Sequence, residues 1–353
     1  MSTLITGGAG FVGSNLALEF RKRDRKSNII CLDNLKRRGS ELNLRRLENS
    51  GIEFVHGDIR NKEDFESVGK VNTIIECSAE PSVLAGYNTS PDYLINTNLL
   101  GTINCLEYAR KNDAQLIFLS TSRVYPVKTI NGLKYNESSS RFTLSDRQKI
   151  KGSSARGFTE EFPLEGTRTL YGATKLCSEL VIREYVDMYG LKAVINRCGL
   201  LTGPWQMGKI DQGVIVLWVA KHHYKQHLSY IGYGGKGKQV RDILHVRDLY
   251  RLLEIQLEHI DRHSGEVYNV GGGLENSLSL LELTELCQKY TGNKIAIDRV
   301  SEDRVGDIRI YITDNSKVTK RTGWKPEISV DDTIKEVSGW IRDNSKLLRP
   351  ILA

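Results

Sequence analysis

Two short stretches of the chain combine side chains that can move a proton. Tyr171 and Lys175 lie four residues apart, so in a helix their phenol and ammonium groups share one face. Residues 120–122, Ser-Thr-Ser, end a predicted strand, and Asn98 lies on the helix predicted before that strand. A Tyr-Lys pair also arises by chance, but its position after the Ser-Thr-Ser run favours an active site.

The chemistry that this set supports is abstraction of a hydroxyl proton by a tyrosinate. For a phenol to act near pH 7, its pKa must fall from about 10 to about 7, which requires roughly 4 kcal/mol. One cation about 4 Å away, at an effective dielectric of about 20, supplies about that much. The charge of Lys175 is therefore sufficient in magnitude, and Thr121 would hold the reacting hydroxyl in line.

A glycine-rich turn near the start of the chain predicts a dinucleotide site. A predicted strand at residues 3–6 runs into Gly-Gly-Ala-Gly-Phe-Val-Gly, and an apolar helix pattern follows. Gly7 permits the tight turn, Gly10 lets a pyrophosphate approach the backbone, and Gly13 allows the helix to pack against the sheet. The helix start then offers free amides and a positive dipole to phosphates.

Two aspartates follow later strands and refine this prediction. Asp33 ends the next strand, twenty residues after Gly13, where an acid can accept hydrogen bonds from the adenosine ribose. Its carboxylate would repel a ribose phosphate, which favours NAD over NADP, although residues 36–38, Lys-Arg-Arg, can soften that repulsion. Asp58 stands where an acid often faces the adenine amino group, and a turn or helix-cap role fits it equally well.

The elements that must position these residues follow an alternating pattern. Short apolar runs and helix-length amphipathic stretches alternate over roughly the first two hundred residues, which is typical of a parallel sheet covered on both faces. Strands are predicted at residues 3–6, 28–32, 53–56, 73–77, 116–120 and 193–197. Apolar residues at helical spacing predict two long helices, one after Asn98 and one after Tyr171.

The predicted fold class is α/β, with a Rossmann-type doubly wound parallel sheet and a smaller, interleaved C-terminal substrate domain. We assign residues 1–200 and about 240–272 to the cofactor domain. Residues of about 201–239 and 273–345 form the substrate domain, with a terminal helix near 331–341. Residues 131–156 are rich in Ser, Arg and Lys, so we expect a surface loop beside the site, with a weaker expectation of a lid.

Composition limits the class of partner and the compartment. The net charge is +7, but the basic residues are mixed with 43 acidic ones, so an anionic substrate explains the charge without nucleic acid. The six cysteines lie far apart and several fall in apolar runs, as reduced core residues of a cytosolic protein do. No leader and no apolar run long enough for a membrane is evident, so we expect a cytoplasmic protein.

The glycine turn, Asp33, Asp58, Asn98 and the Thr, Tyr and Lys set resemble those of the extended short-chain dehydrogenases/reductases, which include UDP-galactose epimerases. The resemblance runs nearly from end to end. It implies an NAD-dependent enzyme with catalytic residues Thr121, Tyr171 and Lys175. The cofactor residues that it implies are Gly7, Gly10, Phe11, Val12, Asp33, Asn34, Asp58, Ile59, Ala79, Asn98, Tyr171 and Lys175.

Within that superfamily, residues 119–126 (LSTSRVYP) and 203–213 (GPWQMGKIDQG) look most like the CDP-paratose 2-epimerases, also called CDP-tyvelose 2-epimerases. The phrase Phe-Pro-Leu at residues 162–164 agrees with this similarity. The resemblance implies oxidation of the sugar at carbon 2, a 2-keto intermediate, and return of the hydride to the opposite face. NAD is regenerated in each turnover.

The same resemblance implies a substrate site for a nucleotide sugar, preferably a CDP-sugar. Arg241 and Arg304 match arginines that grip the diphosphate, a role that suits the planar guanidinium group. A surface salt bridge is the alternative for each. The further substrate residues that we expect are Glu80, Ser122, Arg123, Gln206, Met207, Lys209 and Gln212, with Asp211 as another candidate. For the residues after 205, a structural role in the loop is nearly as plausible.

The alternative functions would require different residues near the catalytic threonine. The 4,6-dehydratases carry an acidic pair after the catalytic threonine and the decarboxylases a glutamate nearby, whereas Ser122 and Arg123 stand here and Arg cannot serve as that acid. A UDP-hexose 4-epimerase is the main alternative, although Leu200 stands near the position of its usual asparagine. A non-catalytic NAD-binding sensor is a further alternative, but such proteins commonly lose the Tyr or the Lys.

Two further expectations concern metal and assembly. His222, His223 and His227 lie close together but have no acidic or cysteine partner at metal spacing, so we expect no metal. The two long helices that carry Asn98 and Tyr171 have apolar stripes, and relatives pair these helices. We therefore expect a homodimer or homotetramer.

Overall fold

The computed structural model describes residues 2–209 and 212–353. The strands are β1 (Ser2–Thr6), β2 (Asn28–Asp33), β3 (Glu53–His56), β4 (Thr73–Glu76), β5 (Gln115–Thr121), β6 (Tyr135–Glu137), β7 (Phe142–Leu144), β8 (Ser153–Ser154), β9 (Gly157–Phe158), β10 (Ala193–Cys198), β11 (Leu200–Thr202), β12 (Leu228–Ile231), β13 (Val240–His245), β14 (Val267–Val270), β15 (Ser277–Ser279), β16 (Ile297–Val300) and β17 (Ile310–Tyr311). The α-helices are α1 (Phe11–Arg23), α2 (Leu44–Asn49), α3 (Asp92–Ile95), α4 (Gly101–Asn112), α5 (Val127–Asn131), α6 (Leu170–Tyr189), α7 (Val214–His223), α8 (Val246–Glu258), α9 (Ile260–His263), α10 (Leu280–Thr291), α11 (Ser316–Thr322), α12 (Val330–Asp343) and α13 (Ser345–Leu352).

A seven-stranded sheet organises the elements that carry the site. Its strand order is β14-β10-β5-β4-β1-β2-β3, and β3, β2, β1, β4 and β5 pair in parallel. The predicted α/β fold with a doubly wound parallel sheet is confirmed, and each of the six predicted strands is present within one or two residues. The carboxyl ends of parallel strands meet at one edge, which is where such sheets bind ligands.

The sheet is buried because its strands are apolar on both faces. In β2, Ile29 to Leu32 are all withdrawn from water, and Leu4, Ile74 and Leu116 from the neighbouring strands join the same core. Burying each such side chain contributes about 1.5–3 kcal/mol. Asp33, Glu76 and Thr121 stand at the carboxyl ends of β2, β4 and β5, and the sheet therefore presents reactive polar groups at that edge.

Contact clustering divides the chain into two compact units. The first comprises residues 1–124, 170–197 and 249–268, and the second comprises residues 125–169, 198–248 and 269–353. Residues 125–169, which the sequence assignment placed with the cofactor domain, group with the second unit.

The second unit has its own small sheet and helix layer. Its sheet has the order β11-β13-β15, and β17 also pairs with β13. Helices α7, α10 and α12 pack on one another. Helix α10 begins with a capping box in which Ser279 and Glu282 each accept a hydrogen bond from the other's backbone amide, so its start is fixed locally.

Most of residues 131–156 lie at the surface, as expected, but the segment is not a continuous loop. The segment contains β6, β7 and β8, and the Phe142 amide donates to the Lys238 carbonyl. Phe142 and Leu144 are buried, while Thr143 between them is exposed. The few apolar residues alternate as in a half-buried strand, and the abundance of Ser, Arg and Lys around them hid that pattern.

A buried ion pair in the first unit ties helix α6 to the sheet. Arg197 near the end of β10 donates from Nε and Nη2 to the Glu179 carboxylate, with Nη2 2.7 Å from Oε2 and Nε 3.1 Å from Oε1. Their side chains are 2% and 1% exposed. The Ser120 hydroxyl, at the end of β5, donates to Glu179 Oε1 over 2.5 Å. Three elements therefore meet at one carboxylate.

Replacing Arg197 should be costly, because it leaves the Glu179 charge buried without its partner. We expect Arg197→Met to lower the free energy of unfolding by about 3–5 kcal/mol in urea denaturation. Arg110→Met is the matched control, because it removes the exposed pair with Glu107 and should cost less than about 1 kcal/mol. Equal losses in the two variants would contradict a structural role for the buried pair.

Within residues 2–209 and 212–353, no helix has both the length and the apolar composition that a membrane span requires.

Candidate active site

The glycine turn has the backbone geometry that its sequence predicts. Gly7 has a φ of +64°, and the Gly10 amide donates to the Gly7 carbonyl over 2.9 Å. A Cβ atom on Gly13 would lie far inside van der Waals contact of the Gly7 carbonyl oxygen, so only glycine fits. Helix α1 starts at Phe11 without an acidic side chain in its first turn. Its positive end is uncompensated and suits a pyrophosphate.

Asp33 is held beside this turn at the end of β2. Its carboxylate accepts hydrogen bonds from the Ala9 amide (3.1 Å) and from the Leu35 amide (2.8 Å). Burial raises the pKa of Asp33, although those amides oppose the rise. Each carboxylate oxygen has two acceptor positions, so acceptor capacity remains for a ribose hydroxyl.

A second acidic centre follows β3. The Asp58 carboxylate accepts from Asn34 Nδ2 (2.7 Å) and from Arg60 Nη2 (2.7 Å). Burial raises its pKa, but the hydrogen bonds from Arg60 and Asn34 prevail and lower the pKa to about 2. Asp58 Oδ1 also accepts from the Arg60 amide, which is the turn role considered as its alternative.

Tyr93 lies next to this centre, and no motif in the sequence pointed to it. The Lys36 ammonium lies 3.3 Å from the centre of its ring, and the Arg60 guanidinium carbon lies 4.8 Å from it. Lys36, one of the three basic residues that could soften the repulsion of a ribose phosphate, is thus turned toward an aromatic face together with Arg60.

The three expected catalytic residues lie on elements that pack together. Thr121 is the last residue of β5 and is buried, and Tyr171 and Lys175 lie one turn apart at the start of α6. Helix α6 packs against β5 and against the 3-10 turn Ser122–Val124. The Lys175 ammonium lies 3.8 Å from the centre of the Phe118 ring on β5. The structure therefore brings the phenol, ammonium and hydroxyl to one edge of the sheet.

Asn98 is fully buried on a π-helical turn, Asn96–Leu100, between α3 and α4. Its Oδ1 accepts from the Glu80 amide (2.8 Å), and its Nδ2 donates to the Glu80 carbonyl (3.2 Å) and to Thr174 Oγ1 (3.3 Å). Asn98 therefore joins the loop after β4 to α6. A single π turn inside a helix is frequent at functional sites.

The other expected cofactor and substrate residues of the first unit lie around the same strand ends. Phe11 and Val12 open α1, and Ala79 follows β4. Ile59 is buried against Gly101, where a Cβ atom would collide with it. Ser122 and Arg123 follow Thr121 directly, and the Arg123 amide donates to Thr121 Oγ1 over 3.2 Å. These placements agree with a site along this edge.

The expected substrate arginines meet at one turn of the second unit. Arg241 Nη2 donates to Asp307 Oδ1 over 2.9 Å, and the Asp307 amide donates to the Arg304 carbonyl over 3.2 Å. The salt bridge considered as an alternative is thus present for Arg241. Asp307 holds the guanidinium in place, a role that its spacing in the sequence did not reveal.

The residues expected from the 206–212 segment differ in their surroundings. Gln206 is buried, accepts from Thr202 Oγ1 (2.9 Å) and donates to the Leu201 carbonyl (3.0 Å). Met207 is buried, while Lys209 is exposed and pairs through its backbone with Gln212. The hydrogen bonds of Gln206 are those of a structural residue. Asp211 lies outside the described residues.

In the described parts of the chain, no group of three or more His, Cys, Asp and Glu side chains is arranged to hold a metal ion.

The glycine cradle, the acid that ends β2 and the Tyr-Lys pair define a Rossmann enzyme that binds a dinucleotide. The chain belongs to the NAD dependent epimerase/dehydratase family, whose model matches residues 3–271. The expected family, enzyme class and NAD cofactor are confirmed.

Individual relatives agree over nearly the whole chain. It is 32% identical to the CDP-paratose 2-epimerase of Salmonella typhi over 96% of this chain and 99% of that one. The dTDP-glucose 4,6-dehydratase of Bacillus anthracis, solved with NAD, matches with a TM-score of 0.77 and 26% identity over 99% of each chain. The UDP-glucose 4-epimerase of Thermus thermophilus, also solved with NAD, matches with a TM-score of 0.76 and 25% identity over 97% and 99%.

The glycine turn yields a direct test of the cofactor site. Gly13→Ala should lose most of its bound NAD, because the new methyl group must displace the Gly7 carbonyl from the turn. Cofactor content of the purified protein can be measured by absorbance after acid release. Gly339→Ala is the control, since its Cβ atom meets only the end of Arg342 and alanine favours its helix. A Gly13→Ala protein with full NAD content would contradict this placement.

Proposed function

We propose that the protein is a 2-epimerase of a CDP-activated sugar of the paratose/tyvelose type. It acts by transient oxidation at carbon 2 to a 2-keto intermediate and re-reduction on the opposite face. The observation that carries this proposal is the intact Tyr171-Lys175 pair beside a Thr121 that is followed by Ser122 and Arg123, without a carboxylate. The similarity to the Salmonella typhi enzyme over 96% of the chain supports the choice of carbon and nucleotide.

The chain's own residues perform the proton chemistry. The Tyr171 phenolate takes the proton of the carbon 2 hydroxyl, and the Thr121 hydroxyl orients that oxygen. Lys175 stabilises the phenolate by its positive charge. Because Lys175 is buried, water screens this charge interaction only weakly. NAD, held at the turn of Gly7, Gly10 and Gly13, would supply the hydride acceptor for carbon 2 and the hydride donor for the return step. In the second half-reaction Tyr171 gives its proton back to the oxygen, so protons and hydride balance within each turnover.

The other expected site residues bind the substrate or distinguish this reaction from related ones. Arg241 and Arg304 bind the diphosphate, and the Asp307 carboxylate fixes the Arg241 fork for a bidentate contact. Ser122 and Arg123 replace the acidic residues that expulsion of water requires, which disfavours a 4,6-dehydratase.

The decisive experiment follows the sugar ring protons by NMR. Purified protein is incubated in heavy water, without added cofactor, with CDP-glucose and in parallel with UDP-glucose and UDP-galactose. We expect CDP-mannose signals to appear from CDP-glucose, or the 2-epimer from a CDP-deoxysugar. Interconversion of the UDP-sugars alone would instead identify a UDP-hexose 4-epimerase. If neither CDP-glucose nor a CDP-deoxysugar changes, the proposed function is wrong.

The base is tested by Tyr171→Phe. This variant should keep its fold and bound NAD but lose turnover by on the order of a thousandfold, because general base catalysis supplies factors of about 10²–10⁴. Tyr189→Phe, on an exposed tyrosine of the same helix, is the control and should retain the wild-type rate. A Tyr171→Phe protein with a normal kcat would exclude the phenol as base.

We also infer a cytoplasmic homodimer. None of the six cysteines forms a disulfide bond within the described residues, which suits a reducing compartment. Leu180 and Met188 lie eight residues apart on α6 and are 54% and 66% exposed, and Leu100 is exposed where α4 begins. Such apolar side chains on packed neighbouring helices suit a symmetric interface.

Sedimentation velocity tests this assembly. The wild-type protein should sediment as a dimer at micromolar concentration, and Leu180→Glu should sediment as a monomer because a charge is buried in the interface. Arg45→Glu is the control, because it changes the charge of an exposed residue on a different helix, α2, and should leave the dimer intact. A monomeric wild-type protein would contradict the inference.

A further inference from the structure

Glu76 is a fully buried carboxyl group that the chemistry described above does not use. It is the last residue of β4, and its side chain is 0% exposed. Its register partner on β5 is Phe118, and the ring of Phe118 carries the Lys175 ammonium 3.8 Å from its centre. Glutamate is almost never fully buried unless it is paired. The strand register thus places an unusual acid beside the proposed catalytic lysine.

The neighbours of Glu76 come from two helices. From α4, the Thr102 hydroxyl donates to Oε1 over 2.6 Å, and the Cys105 thiol also forms a hydrogen bond with the carboxyl group. From α6, Lys175 supplies the opposite charge. Lys175 and Cys105 are the titratable groups that act on Glu76, and Oε2 has no hydrogen-bond partner among the described residues.

Burial and charge oppose each other at this carboxyl. Burial is the larger influence and raises the pKa of Glu76 above its usual value, while the charge of Lys175 and the hydrogen bonds from Thr102 and Cys105 oppose that rise and favour the ionised form. An ammonium that is withdrawn from water is itself unstable without a nearby negative charge. The other buried acid of this interior, Glu179, is already matched by Arg197. Glu76 is thus a buried acid whose charge interacts with that of Lys175.

We propose that Glu76 is a positioning residue that serves as the buried counter-charge of Lys175 and thereby sets the pH range in which Tyr171 acts as base. This inference rests on the proposed function only in taking Tyr171 as that base. A negative charge raises the proton affinity of every neighbouring group, so its removal lowers the proton affinity of both the Tyr171 phenol and the Lys175 amine. Glu76→Gln keeps the shape of the side chain and an acceptor for Thr102 while it removes the charge.

The test is a spectrophotometric titration of tyrosine ionisation in the NAD-loaded protein, which needs no substrate. The Tyr171 transition is identified by subtracting the titration of Tyr171→Phe. We expect Glu76→Gln to move this transition to lower pH by on the order of one unit, as a charge interaction across a protein interior does. Glu76→Asp, which retains the charge, should restore most of the wild-type position.

The activity of the same variants supplies a second readout. In Glu76→Gln, both the acidic and the alkaline limb of the pH profile of kcat should move to lower pH, with little change in KM. A loss of packing alone would not shift both limbs in this way. An unchanged Tyr171 transition in a folded Glu76→Gln protein would overturn the proposal. Absence of a distinct Tyr171 transition in the wild type would also overturn it. If the transition moves but no sugar is epimerised, the proposed function fails and this inference stands.

A second pair of variants covers the case in which Glu76→Gln does not fold. Cys105→Ala removes one hydrogen bond that favours the ionised carboxyl, whereas Cys105→Ser retains a donor at the same place. We expect a smaller shift of the Tyr171 transition in the same direction for Cys105→Ala and none for Cys105→Ser. Identical transitions in these two folded proteins would count against Glu76 as the counter-charge.

Discussion

The pair between Arg197 and Glu179 places two opposite charges almost entirely out of water, beneath the helix that carries the proposed base. Glu179 also accepts the hydroxyl hydrogen of Ser120, so one carboxylate joins α6 to the ends of β5 and β10. Breaking such a pair leaves an uncompensated charge in the core, and the elements therefore cannot shift independently. Tyr171 and Lys175 lie eight and four residues before Glu179 on the same face of α6, so their positions depend on that anchor.

This arrangement solves a conflict between stability and chemistry. A base that works near neutral pH needs a concentrated positive charge, and a concentrated charge is costly in a protein interior. Arg197 and Glu179 form several hydrogen bonds with each other, and their opposite charges largely cancel. Lys175 is instead placed on the Phe118 ring, with Glu76 held at the register position beside it. In the proposed mechanism its charge stabilises the phenolate of Tyr171. Asn98, on its π turn, closes the same polar interior from the side of α4.

Much of this could be predicted from the sequence, because the determinants are local. Alternating apolar runs indicated the parallel strands, and the glycines needed at the turn are contiguous in the chain. Pairings between distant residues could not be predicted: Glu76 with Lys175, Glu179 with Arg197, and Tyr93 with Lys36 depend on register and packing. The spacing of Tyr171, Lys175 and Glu179 did offer a clue, since a third polar residue continues the buried face of the helix. The short strands within residues 131–156 were missed because three buried apolar residues, Leu133, Phe142 and Leu144, are outnumbered by polar neighbours.

The central claim is that hydrogen leaves carbon 2 of a nucleotide sugar as hydride and returns to the same carbon without meeting solvent. A CDP-sugar carrying deuterium at carbon 2 tests this claim most directly, with the product analysed by mass spectrometry after turnover in ordinary water. The account predicts that the epimer retains its deuterium at carbon 2 and that the reaction slows through an isotope effect. Loss of the label to solvent would show that carbon 2 is deprotonated rather than oxidised, and would contradict the account.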